Sequence, residues 1–220
     1  MRVMILNGWA ASPHAWDLCC CALDPEARLY SYLEQLDGCA ERDLAAAKEP
    51  VVLVGWSMGG SGALKLACRY PEKIKGLVLL AAAARMMKAN NWNGMSERRL
   101  QAFEGAVRLT KGQGLFGEGV KPGKPNPYMM DTEANLARGI AFLRETDVRL
   151  DLIDLLASGK ATWPVAIFQS ERDGIVRPEN AHFLATVFPQ ADVTIVPGNE
   201  HALPIEIPEE IDTAVRAMTD

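Results

Sequence analysis

A serine hydroxyl becomes a nucleophile only when a neighbouring base takes its proton and a carboxylate orients that base. The strongest local signal for such chemistry is VVLVGWSMGG, where Gly55, Ser57 and Gly59 form G-x-S-x-G after an apolar run and before a helical stretch. Strand, sharp turn and helix is the context this motif requires. Glycines at 55 and 59 let the chain turn tightly with the serine at a strained apex, and Gly60 and Gly62 leave room for the helix to approach its neighbours. A tight packing turn or a phosphate cradle would use the same glycines. A phosphate loop, however, needs Lys followed by Ser or Thr, and a dinucleotide fingerprint needs G-x-G-x-x-G, and the segment has neither.

The chain has three histidines. Where the nucleophile sits on such a turn, the acid and then the histidine follow it in the chain, which leaves His182 and His201. His182 falls inside a helical run and reads as a surface residue, whereas His201 lies in the loop GNEHALP after the last expected strand and is the expected base. His14 reads as a loop or cap residue beside the pocket. The acid should end the penultimate strand, and AIFQSERDGIV offers Glu171 and Asp173 there. The D-G pair makes a turn able to aim a carboxylate inward, so Asp173 is preferred over Glu171 and over Glu200, which adjoins the histidine. Two donors for a developing oxyanion are expected from the backbone N–H groups of Met58 and of Trp9, with Gly8 allowing close approach. Trp9 and Trp56 also bring indole rings to the mouth of the site as candidate substrate contacts, though core packing explains Trp56 equally well.

Positioning these groups falls to short apolar runs at Arg2 to Leu6, Val51 to Gly55, Leu77 to Leu80, Val165 to Gln169 and Val193 to Val196, the pattern of parallel strands buried on both faces. Helices are expected over Ser57 to Tyr70, Asn180 to Val187 and Glu209 to Met218. The class is α/β. With 220 residues, 49% hydrophobic and 23% charged, the composition is that of a single globular domain. No window reaches the roughly 18 apolar residues of a membrane span, and MRVMILNGW lacks the basic and apolar regions of a signal peptide. A net charge of −5 gives no chain-wide basic footprint for nucleic acid. Cys19, Cys20, Cys21, Cys39 and Cys68 are odd in number and spaced for neither a disulfide framework nor a metal site, so they read as reduced thiols of a cytoplasmic protein.

The middle of the chain differs. From about residue 85 to 149 no strand is evident, and two amphipathic segments, one with Leu100, Phe103 and Val107 and the other with Leu136, Ile140 and Leu143, flank the linker KGQGLFGEGVKPGKPNP. Residues 85–149 therefore read as a helical lid inserted into a core made of 1–84 and 150–220. The insertion holds 11 Lys and Arg against 7 Asp and Glu, a balance of +4, while the remainder holds 12 against 21, or −9. That asymmetry fits a polar partner or a solvated helical face equally.

These residues resemble the α/β-hydrolase fold family over nearly all of the core, through N-G-W-x-x-S, GWSMGG, YPEKIKGLVLL, DGIV and HALP. Within the family the chain looks most like the pimeloyl-acyl-carrier-protein methyl ester esterases of biotin synthesis, on GWSMGG, the Gly8-Trp9 pair, ETDVRLDL, RDGIVRPEN and EHALPIEIPEE. The resemblance implies attack by Ser57 on a terminal methyl ester, an acyl-enzyme, release of methanol, and hydrolysis by water activated through His201. It also implies an acidic carrier protein docked on a basic lid, here Arg98, Arg99, Arg108, Lys111, Lys121, Lys124, Arg138 and Arg144. Three departures stand out. The leading hairpin is missing, so that the sheet should have about six strands, Asn7 replaces the usual His, and YSYLEQLDG stands in for D-x-P-G-x-G-x-S.

Two other functions compete with that one. A general short-chain carboxylesterase, thioesterase or acyltransferase would use the same three residues, and a hydrolase-fold binding protein could hold a small ligand without turnover. No metal or organic cofactor is implied, since this chemistry needs neither.

Overall fold

The computed structural model describes residues 2–110, 124, 126–129 and 131–219, without the side chains of Val107, Arg108 and Thr110. Six strands run β1 (Val3–Leu6), β2 (Ala27–Tyr30), β3 (Val51–Trp56), β4 (Ile74–Leu80), β5 (Val165–Ser170) and β6 (Asp192–Val196). All pair in parallel, in the order β2-β1-β3-β4-β5-β6. The helices are α1 (Cys20–Leu23), α2 (Tyr32–Leu36), α3 (Cys39–Ala46), α4 (Met58–Arg69), α5 (Glu97–Thr110), α6 (Glu133–Glu145), α7 (Arg149–Ala157), α8 (Glu179–Val187), α9 (Leu203–Glu206) and α10 (Pro208–Thr219).

Alternation along the strands sends side chains to two separate cores. Ile5, Val52, Val54, Val78 and Leu80 face α10 through Ile211, Val215 and Met218. Met4, Leu6, Leu53, Leu77 and Leu79 face the other way, against Leu44 of α3, Leu64 of α4, Leu152 of α7 and Leu184 of α8. Each such fully buried side chain contributes about 1.5–3 kcal/mol of transfer free energy. Strand β3 is buried at all six positions because it has neighbours on both edges and helices on both faces.

The chain leaves β1 toward β2 and returns on the other side to β3, so the sheet reverses direction between β1 and β3. In open parallel sheets ligands bind in the crevice outside the strand carboxyl ends at such a reversal. The loop after β1 and the turn after β3 meet there.

Five of the six strands coincide with expected apolar runs. The sixth, β2, with the sequence ARLY, carries no continuous apolar run, because an edge strand, here partly exposed on its first three residues, needs none. Helix α7 also carries little sequence signal. Its Leu150, Ile153 and Leu156 are exposed while Leu152 and Leu155 are buried, which blurs the apolar stripe. Between β4 and β5 the described residues form α5, α6, α7 and isolated bridges. The base of this stretch is closed by Arg85 and Asp147, which pair as a bridge and as an ion pair at 2.6 Å.

Candidate active site

Ser57 stands between the last residue of β3 and the first of α4 with φ 56° and ψ −117°, a region L-residues avoid. Such a conformation costs about 1–3 kcal/mol and persists only where the surroundings impose it. Here they do. A side chain at Gly59 would overlap the Leu6 carbonyl and come within 2.7 Å of the Asn7 carbonyl, one at Gly60 would lie 2.5 Å from Ala82, and one at Gly55 would lie 2.6 Å from the Gly59 carbonyl. Helix α4 is thereby pressed onto the ends of β1 and β4, and the Ser57 N–H donates to the Leu80 carbonyl at 2.9 Å.

Asp173 is turned inward by its own loop. One carboxylate oxygen accepts from the backbone N–H groups of Ile175 at 2.7 Å and Val176 at 3.1 Å, and the side chain is fully buried. The other oxygen lies 2.7 Å from His201 Nδ1. His201 Nε2 lies 2.9 Å from Ser57 Oγ. With its proton on Nδ1, the imidazole donates to Asp173 and accepts from the serine hydroxyl. The loop that carries His201 is tied at both sides, since the Trp56 indole donates to the His201 carbonyl at 2.8 Å and the Ser170 hydroxyl donates to the Glu200 carbonyl.

The structure thus brings Ser57, His201 and Asp173 into one hydrogen-bonded line and leaves the other candidates apart. Glu171 is exposed beside Arg172, at 3.9 Å, and Glu200 serves through its carbonyl. His182 lies on the exposed face of α8. His14 does not line the pocket; it is exposed and bonded to Asp17 at 2.9 Å. Trp56 is placed beneath the site and not on its wall, where its ring lies 5.8 Å from that of His201 and its indole N–H braces the histidine loop. Met58 opens α4, whose first-turn N–H groups have no partners within the helix.

The sequence shows Asn7 as a departure, but not its role, which is to shape the loop after β1. The buried Asn7 side chain donates to the carbonyls of Ala11 at 3.1 Å and Ser12 at 3.2 Å, and accepts from Gly8 N–H at 3.0 Å and the Trp16 indole at 3.0 Å. All of its side-chain hydrogen-bonding capacity is used. The available signal was a polar residue directly after a strand and directly before glycine. Ala10, at φ 52°, completes the tight loop.

Over the serine lies a cavity of about 200 Å³ lined by Trp9, Ser57, Met86, Met95, Leu100, Phe103, Tyr128, Ile140, Leu143, Ile175 and His201. Burial, with the nearby Asp173 and Glu200 charges, pushes the Tyr128 phenol up to about 12, so it is neutral near pH 7. Apart from Tyr128 and His201, the described lining residues carry apolar side chains or the Ser57 hydroxyl. Such a pocket suits an uncharged apolar group next to a polar reacting centre. Among the described residues no cluster of His, Cys, Asp and Glu could hold a metal ion, and no helix is long and apolar enough to cross a membrane. The five cysteines are free thiols, and burial pushes Cys68 up to about 12.

Of the basic residues expected to receive a partner, Arg98 and Arg99 are exposed on α5. Arg138 pairs with Asp37 at 2.5 Å, Arg144 with Glu97 at 3.1 Å and Glu104 at 3.0 Å, and Lys124 donates to the Ile205 carbonyl at 2.8 Å. Lys111, Lys121 and the Arg108 side chain lie outside the described residues.

A profile of the alpha/beta hydrolase fold matches residues 3–208. The chain is similar to a protein of Yersinia enterocolitica named pimeloyl-[acyl-carrier protein] methyl ester esterase, 24% identical with 97% of this chain and 91% of the relative covered. A protein of the same name from Edwardsiella ictaluri is 25% identical, with 99% and 93% covered. Among solved structures, an esterase from Exiguobacterium antarcticum superposes with a TM-score of 0.78 at 17% identity, covering 100% of this chain and 92% of that one. The thioesterase domain from the curacin biosynthetic pathway gives 0.61 at 15% identity, covering 98% and 90%. These superpositions bear on the fold.

Proposed function

The chain belongs to the alpha/beta hydrolase fold family, and on that premise we propose that it is a cytoplasmic serine carboxylesterase acting on the methyl ester of an acyl chain carried by an acyl carrier protein. The observation that carries the reading is the unbroken line from Ser57 Oγ through His201 to Asp173. Ser57 attacks the ester carbonyl as His201 Nε2 takes the hydroxyl proton, and the bond to the alkoxide oxygen breaks as the imidazolium returns that proton to the departing methanol. Water then attacks the acyl carbonyl as it loses a proton to His201, and the bond to Ser57 Oγ breaks as the imidazolium returns that proton to the serine, releasing the acid. Asp173 orients the imidazole and stabilises the imidazolium through its 2.7 Å contact with Nδ1. The N–H groups of Met58 and Trp9 receive the oxyanion, where one donor is worth about 10²–10³ in turnover.

The apolar cavity takes the acyl chain, with Trp9 on its wall, and residues 85–149 act as the lid. The names of the Yersinia and Edwardsiella relatives support the pimeloyl-carrier substrate, the resemblance carried by GWSMGG and EHALPIEIPEE implies a place in biotin synthesis, and charge complementarity to an acidic carrier supports docking on Arg98, Arg99, Arg108 and Lys111. A second reading, a general carboxylesterase or thioesterase for free substrates, is favoured by the internal pairing of Arg138 and Arg144.

Comparison of kcat/KM for a carrier-bound methyl ester with that for the free ester separates the two. A gain of at least about tenfold on the carrier, roughly 1.4 kcal/mol of transition-state binding, is expected. Equal values would assign the second reading. Labelling by a fluorophosphonate should disappear in Ser57→Ala; folded wild-type protein that takes no label would be a ligand binder.

A further inference from the structure

Glycine is the poorest helix former after proline, yet Gly139 sits buried in the middle of α6. What occupies the space of its missing side chain is the Trp9 indole: a methyl group at 139 would overlap Trp9 Cδ1 and lie 2.7 Å from Nε1. One turn earlier, the Leu136 carbonyl accepts a hydrogen bond from that indole N–H at 3.1 Å. Trp9 is therefore seated on α6 by shape and by a hydrogen bond, 127 residues away in sequence.

The rest of its loop is held from the same side. The Met129 N–H donates to the Ala10 carbonyl at 2.9 Å, and the Ser12 N–H donates to the Pro127 carbonyl at 2.8 Å. Ala10 packs with Leu136 and Ile140 in a small apolar cluster of its own, with Met87, Met95 and Leu100. The loop after β1 is thus built as much onto the stretch between β4 and β5 as onto the sheet.

We propose that Gly139 is a positioning residue for the reaction: by seating the Trp9 indole on α6, it sets the direction of the Trp9 backbone N–H toward the ester oxygen. Gly139 touches no reacting atom and acts through Trp9. The inference rests on the assignment of that N–H as an oxyanion donor made above. Its consequence is that any displacement of α6 reaches the reacting centre directly through the Trp9 indole.

The test uses p-nitrophenyl acetate, whose acyl group is too small to need the apolar cavity. Turnover by the wild type that is lost in Ser57→Ala secures the esterase reading; its absence overturns that reading and the positioning role together. Given turnover, Gly139→Ala should lower kcat by roughly 10- to 10²-fold, the scale of a displacement of about 1 Å at a reacting group, with KM changed less than about twofold. Introduced into Trp9→Ala, which keeps the backbone N–H but lacks the ring, the same substitution should cause no further loss. Equal losses in both backgrounds would mean that Gly139 acts on the packing of α6 and not through Trp9, and an unchanged kcat would likewise overturn the proposal. Should Gly139→Ala fail to fold, Trp9→Phe decides: it keeps a ring but removes the N–H donated to Leu136, and a fall in kcat of about fivefold at constant KM is expected. Unchanged kcat in that variant would refute the role.

Discussion

The bed beneath the serine and the wall above it are held by different forces. The bed consists of β1, β3, β4 and β5 with the turns that follow them, whose backbones are paired through the sheet and whose side chains are almost all buried, on both faces. Around Ser57 the fit is so close that three glycines have backbone or Ala side chains where a side chain of their own would go. The wall rests on a small apolar cluster of Met87, Met95, Leu100, Leu136 and Ile140 and is tied at its outer side by ion pairs: Asp147 to Arg85 and Arg149, Arg144 to Glu97 and Glu104, Arg138 to Asp37. Partly exposed pairs of this kind contribute about 0–1 kcal/mol each. The bed is thus held by packing throughout, whereas the wall adds to a smaller apolar cluster a set of outer ties that salt and pH weaken. Trp9 joins the two regions.

Substitutions in the bed should cost turnover far more than stability. Ser57→Ala is the largest case, with a fall of about 10⁶ in kcat expected from the loss of a serine nucleophile; a folded Ser57→Ala protein that retains more than a thousandth of wild-type esterase activity would break the comparison. Asp173→Asn should follow, with a loss of about 10⁴ at unchanged thermal midpoint, read by ester hydrolysis near pH 7. A small loss would mean that the two backbone N–H groups, not the carboxylate, govern the imidazole.

Substitutions in the wall should do the reverse. The hydrogen bonds from Arg149, then those from Arg85, hold the Asp147 carboxyl well below the usual carboxylate range. A depressed folded-state value contributes stability that is present above the unfolded value, near 3.9, and is lost as pH falls through the folded one. Asp147→Asn should therefore destabilise the protein by about 1 kcal/mol above pH ~5, and the deficit in Tm should shrink below pH ~4. A deficit that does not change with pH would place the effect in packing.

Legibility in the sequence follows the same division. The bed could be read because its constraints are local: glycines flank Ser57 within two positions, and the Asp173-Gly174 turn folds a carboxylate back onto N–H groups two and three residues on. Buried parallel strands also announce themselves as continuous apolar runs. The edge strand β2 carries no such run, and α7 presents apolar residues to solvent as well as to the core. Asn7 was visible as a departure, but its four hydrogen-bonding partners, between one and nine positions away, were not. Gly139 was invisible, because the reason for its missing side chain lies 130 positions earlier in the chain, in Trp9.

The hydroxyl of Ser57 and the imidazole that faces it are separated by 144 positions. A ribosome making this chain exposes the serine 144 residues before it supplies that imidazole. Throughout that interval the hydroxyl is an ordinary alcohol, inert toward the esters of the cell. Reactivity is thereby timed by synthesis itself, arriving only when the last strand has docked and the loop beyond it has closed.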